Sequence, residues 1–180
     1  MEQPHLGLVA SDGELVVQGS FLLRGGGEAF DQFQVQILVP AGFPDCEPKV
    51  FETGNRILPK NETRHINPDS ACCLGVWEEW LAQTNDPSFR GFLKGPVNDY
   101  FLSQFFFERD GTWRLGERSH GAKGLIEAYA HVLSVEARTQ IVLSYLQAIT
   151  RDWPKGHLPL SVRKQSNCSE VPQTRAVGAS

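Results

Sequence analysis

An α+β domain, an antiparallel meander packed on helices, is the architecture this sequence predicts. Two observations carry it: period-two apolar alternation in the first third of the chain, and three- and four-residue apolar spacing after residue 88. From Glu14 to Leu23, the residues Leu15, Val17, Phe21 and Leu23 alternate with Val16, Gln18, Ser20 and Leu22, so one face is the more apolar and the segment reads as a strand. Arg24-Gly25-Gly26-Gly27-Glu28 breaks that pattern. Phe33, Val35, Ile37 and Val39 then alternate with Gln34 and Gln36, which makes a hairpin partner. Pro40 ends the second strand, Gly42-Phe43-Pro44 turns the chain, and Pro48 to Glu52 reads as a short third strand.

Between Gly54 and Trp80 periodicity vanishes while Pro59, Asn61, His65, Asn67, Pro68, Asp69 and a cysteine pair accumulate. An irregular stretch of that length inside a domain is commonly functional. Phe89, Phe92, Leu93, Val97, Phe101 and Phe105 come next at helical spacing, with Pro96 as a first-turn residue of a restarted helix, so the phenylalanines are expected to face the sheet. A further helical stretch is expected from about Leu125 to Ile149, with Ser134 as a cap inside it. Residues 151–180 hold three prolines and little periodicity, so the chain divides into one domain over 1–150 and a flexible tail over 151–180.

Composition narrows the partners. The 180 residues are 41% hydrophobic and 21% charged, with a net charge of −4, which offers no long-range attraction for phosphate backbones; no nucleic-acid partner is expected. Glu2, Gln3, Pro4 and His5 stand where a signal peptide would be apolar, and no run reaches the roughly 18 apolar residues of a membrane span. The expected location is therefore cytoplasmic, away from membranes, and the expected state of the four cysteines is reduced. Cys72 and Cys73 are adjacent, and neighbouring Cα atoms lie about 3.8 Å apart, too close for an unstrained disulfide. No Cys or His pair has zinc-like spacing, so neither metal nor cofactor is expected.

A cysteine in an exposed irregular segment after a meander is a candidate nucleophile, since sulfur forms acyl thioesters and surrenders them to amines. The string narrows this further. Phe43-Pro44, Pro48-Lys49-Val50-Phe51, the run from His65 to Leu74 and the subsequent Trp80 together resemble a ubiquitin-conjugating enzyme over roughly residues 13–105. The resemblance implies that family's fold, with its N-terminal helix short or absent. It puts Cys73 in the catalytic position and Cys72 in the place of an apolar wall residue. Cys46 and Cys168 are read as plain core or surface thiols. The family's asparagine, which donates a hydrogen bond to the oxyanion, falls on His65 by an ungapped count and on Asn67 if the His-x-Asn triplet is matched instead. Gly75 stands where many members carry an acidic residue, and the Trp-Ser-Pro sequence is missing. Trp80 is expected in the core, and Trp77 as a cover for the thioester or for a partner's tail.

The segment from Trp113 to Gly124 is not a Walker phosphate loop, because Ala122 precedes Lys123 and Gly124 comes after it. It resembles instead the glycine-rich stretch on the C-terminal side of the catalytic core in bacterial relatives of ubiquitin-conjugating enzymes. Those relatives are encoded in antiphage operons, notably short cyclic-oligonucleotide signalling (CBASS) systems. His120 there is either a turn histidine bonded to backbone or a group that approaches Cys73. By resemblance the chain is an acyltransferase. Cys73 takes the C-terminal glycine of a partner protein, a CBASS nucleotidyltransferase or a bacterial ubiquitin-like protein, with or without a separate activating enzyme, and passes it to an amine. The rival readings are a binding module that keeps the fold without the chemistry, and a cysteine hydrolase using Cys73 with His65 or His120.

Overall fold

Alternating apolar residues build the sheet as expected, and the sheet has one strand more than the sequence predicts. In the computed structural model, which describes residues 2–11, 14–26, 28–113, 121–134 and 138, β1 (Leu6–Ser11), β2 (Glu14–Gly25), β3 (Glu28–Val39) and β4 (Lys49–Glu52) form an antiparallel meander in that order. The three predicted strands are β2, β3 and β4. The unforeseen β1 pairs with β2 from Leu6 opposite Gly19 to Ser11 opposite Glu14. Both Leu8 and Val9 are exposed, so this edge strand has no single buried face to leave a signature in the sequence. Just before β1, the Gln3 side chain adds a further pair of bonds to β2: its amide donates to the Leu22 carbonyl at 3.0 Å and its carbonyl accepts from the Leu22 N–H at 2.8 Å.

The inward face of the sheet carries Val17, Phe21 and Leu23 from β2, and Phe33, Val35, Ile37 and Val39 from β3. Against it lie α1 (Trp77–Gln83), α2 (Phe89–Phe92), a π-helical turn at Leu93–Val97, and α3 (Asn98–Asp110); α4 (Gly121–Val132) comes last. Ser88 caps α2 by accepting the Gly91 N–H at 3.2 Å. Pro96 sits within the π turn rather than opening a new helix, so its missing N–H falls where the ladder is already widened. Val97, Phe101 and Phe92 are fully buried, and Phe101 meets Phe33 and Phe21 with ring centroids 4.7 and 5.6 Å apart. Truncating a ring in such a position costs about 3–5 kcal/mol, so Phe21, Phe33 and Phe101 form the main joint between sheet and helices.

No sequence signal marks α1. It spans two turns, and Val76 at its N-cap provides no side-chain hydrogen bond. Glu79 and Gln83 on α1 both reach His131 of α4, at 2.8 and 3.1 Å, which fixes the two helices together. The expected continuation of the last helix to Ile149 and the tail over 151–180 lie outside the described residues, and Ser134 ends the α4 region with a left-handed φ of 53°. No helix among the described residues is long and apolar enough to cross a membrane.

Candidate active site

The segment from Thr53 to Val76 has little regular structure, yet it is held at every few residues by groups that reach in from the sheet and from α3. The buried Glu52 carboxylate accepts the backbone N–H groups of Gly54 and Arg56 at 2.7 and 3.2 Å, turning the chain away from β4. Arg56 then clamps the loop to both layers. Its guanidinium meets Asp31 of β3 at 2.7 and 2.6 Å and Glu108 of α3 at 2.7 Å, and lies over the Phe33 ring. The hydrogen bonds from Arg56 hold the Asp31 carboxyl below its ordinary value against the opposing effect of burial.

A single 3-10 turn, Glu62–Arg64, brings the chain to His65. Arg64 is buried beneath it. Its Nε donates to Gln104 Oε1 at 2.9 Å and one terminal nitrogen donates to the Leu58 carbonyl at 3.0 Å, while its own carbonyl accepts from Gln104 Nε2 at 2.7 Å and from the Tyr100 hydroxyl at 3.2 Å. Gln104, with no exposed surface, thus holds both ends of one residue. This grip sits next to a strained neighbour: His65 has φ 49° and ψ 47°, a left-handed conformation that a residue with a Cβ adopts at a cost.

From His65 the chain doubles back on itself. Ile66 bridges Cys72 in antiparallel fashion, the Asn67 N–H donates to the Ala71 carbonyl at 2.8 Å, and the Cys73 N–H donates to the His65 carbonyl at 2.7 Å. In this register His65 stands opposite Cys73, and directly opposed positions in such a pair have Cα atoms about 5.5 Å apart. The partition by face is visible in the burial. Ile66 and Cys72 turn into the core, whereas His65 and Cys73 are half-buried. The Cys72 N–H donates to the Val50 carbonyl at 2.7 Å, which ties this segment to β4. At the tip, Asp69 accepts from Lys49 Nζ at 2.8 Å and from the Ala71 N–H at 3.1 Å. Burial works to raise the Asp69 pKa, but these hydrogen bonds outweigh it and the carboxyl lies below its ordinary value. After Cys73, Gly75 has φ 101° with open space around it, a conformation that an acidic side chain at this position would strain.

The two adjacent thiols are therefore chemically unlike. Burial pushes the Cys72 thiol up to about 12; it is a wall residue, as expected of its place in the string. Cys73 is free and partly exposed. Cys46 is disulfide-bonded, which corrects the reading of it as a plain reduced thiol: no spacing in the sequence marks which cysteines fold within bonding reach.

Of the other residues singled out in the sequence, Asn67 stands further along the paired segment, opposite Ala71 rather than Cys73, and is exposed. Trp77 is only 9% exposed, its indole N–H donates to the Pro44 carbonyl at 3.2 Å, and its ring packs on Trp80 and Phe92; it anchors the Phe43-Pro44 turn to α1. Trp77 is thus a core residue rather than a cover for the site, and Trp80, partly buried, packs against the same core through Trp77 and Phe92. His120 and Cys168 lie outside the described residues. Among the described residues no group of three or more His, Cys, Asp and Glu side chains is placed to hold a metal ion. Arg64, Tyr100 and Gln104 are the residues at the site that the sequence did not single out. The available signal was Gln104, a polar residue on the inward stripe of a helix, where a buried amide requires partners. No family model, curated protein or solved structure matches this chain.

Proposed function

We propose that this protein is a ubiquitin-conjugating-enzyme-like acyl carrier of a bacterial antiphage (CBASS) system. The observation that carries the reading is the pairing of a partly exposed free thiol, Cys73, with His65 directly opposite it, on a loop tied down from both layers of the fold. In the proposed reaction the Cys73 sulfur attacks the C-terminal glycine carbonyl of a partner, either a nucleotidyltransferase or a ubiquitin-like protein, presented as an adenylate or a thioester by an activating enzyme. A carbon–sulfur bond forms and the bond to the activating group breaks. A lysine amine then attacks the thioester, the new carbon–nitrogen bond displaces the Cys73 thiolate, and the ammonium proton is lost to base. His65 donates to the oxyanion of that second step, a contribution of about 3 kcal/mol where such donors have been removed elsewhere. Asn67, displaced along the paired segment, is the weaker candidate for this role.

Cys73 with a histidine opposite also favours a second reading, a cysteine hydrolase in which His65 serves as the base. The two differ in the fate of the acyl group: a hydrolase releases it to water, whereas a carrier keeps it until an amine arrives. Co-expression with a partner ending in glycine tests the proposal. A covalent adduct that dithiothreitol dissolves and that Cys73→Ala abolishes supports the carrier. The same adduct on Cys73→Ala, or release of free partner with no adduct and no amine added, overturns it. The cytoplasmic location belongs to this proposal.

A further inference from the structure

β1 is the edge of the sheet, with β2 on one side and no further strand beyond it among the described residues. The Ser20 N–H donates to the His5 carbonyl at 3.2 Å and Leu6 stands opposite Gly19, so His5, Gly7 and Val9 are the residues that bond to β2. Leu8 and Ala10 therefore turn their N–H and C=O groups outward. The pairing runs in unbroken register from Leu6 to Ser11, and the strand holds no charged residue and no proline. A bulge, a charge or a proline is what ordinarily keeps an open edge from accepting another strand. The chain does cover the β2 edge just before β1, where the Gln3 amide bonds the Leu22 backbone. Leu8 lies opposite the core residue Val17 and so shares the inward face of the sheet, yet it is 71% exposed; Val9, on the other face, is 40% exposed.

We infer that the β1 edge is a docking surface for an extended segment of a partner protein, apolar at alternate positions and flanked by Lys or Arg, which adds to the sheet as a further antiparallel strand. The main chain of Leu8 and of Ala10 gives such a segment one donor and one acceptor each, and the Leu8 side chain packs beside the residue placed opposite it. Charge selects among the occupants. Glu2 precedes the strand, Asp12 and Glu14 come after it, and no Lys or Arg occurs before Arg24. Both ends of the edge are acidic, which attracts a segment with basic ends. A second copy of this chain is disfavoured by the same charges, because antiparallel pairing sets the acidic end of one β1 beside the acidic end of the other. The inference is independent of the reading of Cys73, whose segment is tied to β4 at the opposite edge of the sheet.

Amide exchange and peptide titration, read by two-dimensional NMR of the full chain, test this. In the free protein the Gly7 and Val9 amides, bonded to β2, should exchange slowly and those of Leu8 and Ala10 quickly. The probe is the acetylated and amidated peptide Lys-Lys-Val-Thr-Val-Thr-Val-Lys-Lys, whose addition up to about 1 mM should shift and protect the Leu8 and Ala10 amides. The same peptide with its valines and threonines N-methylated should leave them unchanged, and the peptide with glutamate in place of lysine should bind about tenfold more weakly or less. Leu8→Pro removes only an outward N–H, so the fold should persist while peptide binding is lost. Should that variant fail to fold, Leu8→Lys keeps the backbone donors, sets a positive charge against the basic segment and should weaken binding as well. No shift at Leu8 and Ala10, shifts confined to another surface, or equal binding of the N-methylated or glutamate peptide overturns the inference. Slow exchange of the Leu8 and Ala10 amides in the free protein overturns it too: protection that grows with protein concentration assigns the edge to a second copy, and protection that does not shows that the chain covers its own edge.

Discussion

Replacing Gln104 with leucine removes the two hydrogen bonds that Gln104 makes to Arg64 while keeping a side chain of similar length in the core. The Arg64 Nε–H, a charged donor on a buried residue, loses its 2.9 Å partner, and the Arg64 carbonyl loses a 2.7 Å donor but keeps the Tyr100 hydroxyl at 3.2 Å. A hydrogen bond to a charged group contributes about 1.5–3 kcal/mol and a neutral one about 0.5–1.5 kcal/mol. The greater apolarity of leucine offsets part of the sum, so the expected destabilisation is about 2–4 kcal/mol, a large share of the stability of an ordinary domain. Gln104→Glu keeps the acceptor for Nε and loses only the donor to the carbonyl, and should cost less. Equilibrium urea unfolding with an unchanged m-value measures both. A loss below about 0.5 kcal/mol for Gln104→Leu would refute the claim that this amide holds the loop.

The same geometry sets four further outcomes. Arg56→Met should destabilise the protein by about 2 kcal/mol near neutral pH, since it strips charged hydrogen bonds from Asp31 and Glu108. The Asp31 carboxyl is held below its ordinary value of 3.8, so the stability it contributes is complete above that pH and is lost as the pH falls below it; acid titration of unfolding should show this loss in the native protein and a shallower one in Arg56→Met. At pH 8, iodoacetamide treatment and peptide mapping should find Cys73 labelled in the folded protein and Cys72 only after unfolding, because burial lifts the Cys72 thiol to about 12; equal labelling of both would contradict the division between wall and nucleophile. Intact-mass measurement of alkylated, unreduced protein should find Cys46 blocked and Cys72 and Cys73 modified after denaturation, whereas modification of Cys46 would show that the bond does not form.

How far the sequence could be read depended on whether a feature is written in neighbouring residues. Phe33, Val35, Ile37 and Val39 alternate because each turns to the same buried face, and the helical spacing from Phe89 to Phe105 survives the π turn because one extra residue shifts the stripe without erasing it. β1 escaped because Leu8 and Val9, on opposite faces of an edge strand, are both exposed, and α1 because two turns opening at Val76 offer neither a cap nor a full period. Cys73 stood out as part of a string. Its relation to His65 is a matter of register, set by hydrogen bonds between residues 61 and 73 and by α3 side chains far along the chain, and no local pattern encodes it. The burial of Trp77 has the same origin: its indole N–H meets the Pro44 carbonyl, 33 residues earlier in the chain.

Locating the acyl group on the chain decides whether Cys73 is the carrier. Cys73→Ser, produced together with a partner ending in glycine, should accumulate an ester to residue 73 that survives dithiothreitol and yields to mild alkali, with the linkage assigned by fragmentation of the branched peptide. A linkage mapped to any other residue, or a Cys73→Ser protein that stays unmodified while the unaltered protein carries an adduct that thiols do not dissolve, would contradict it.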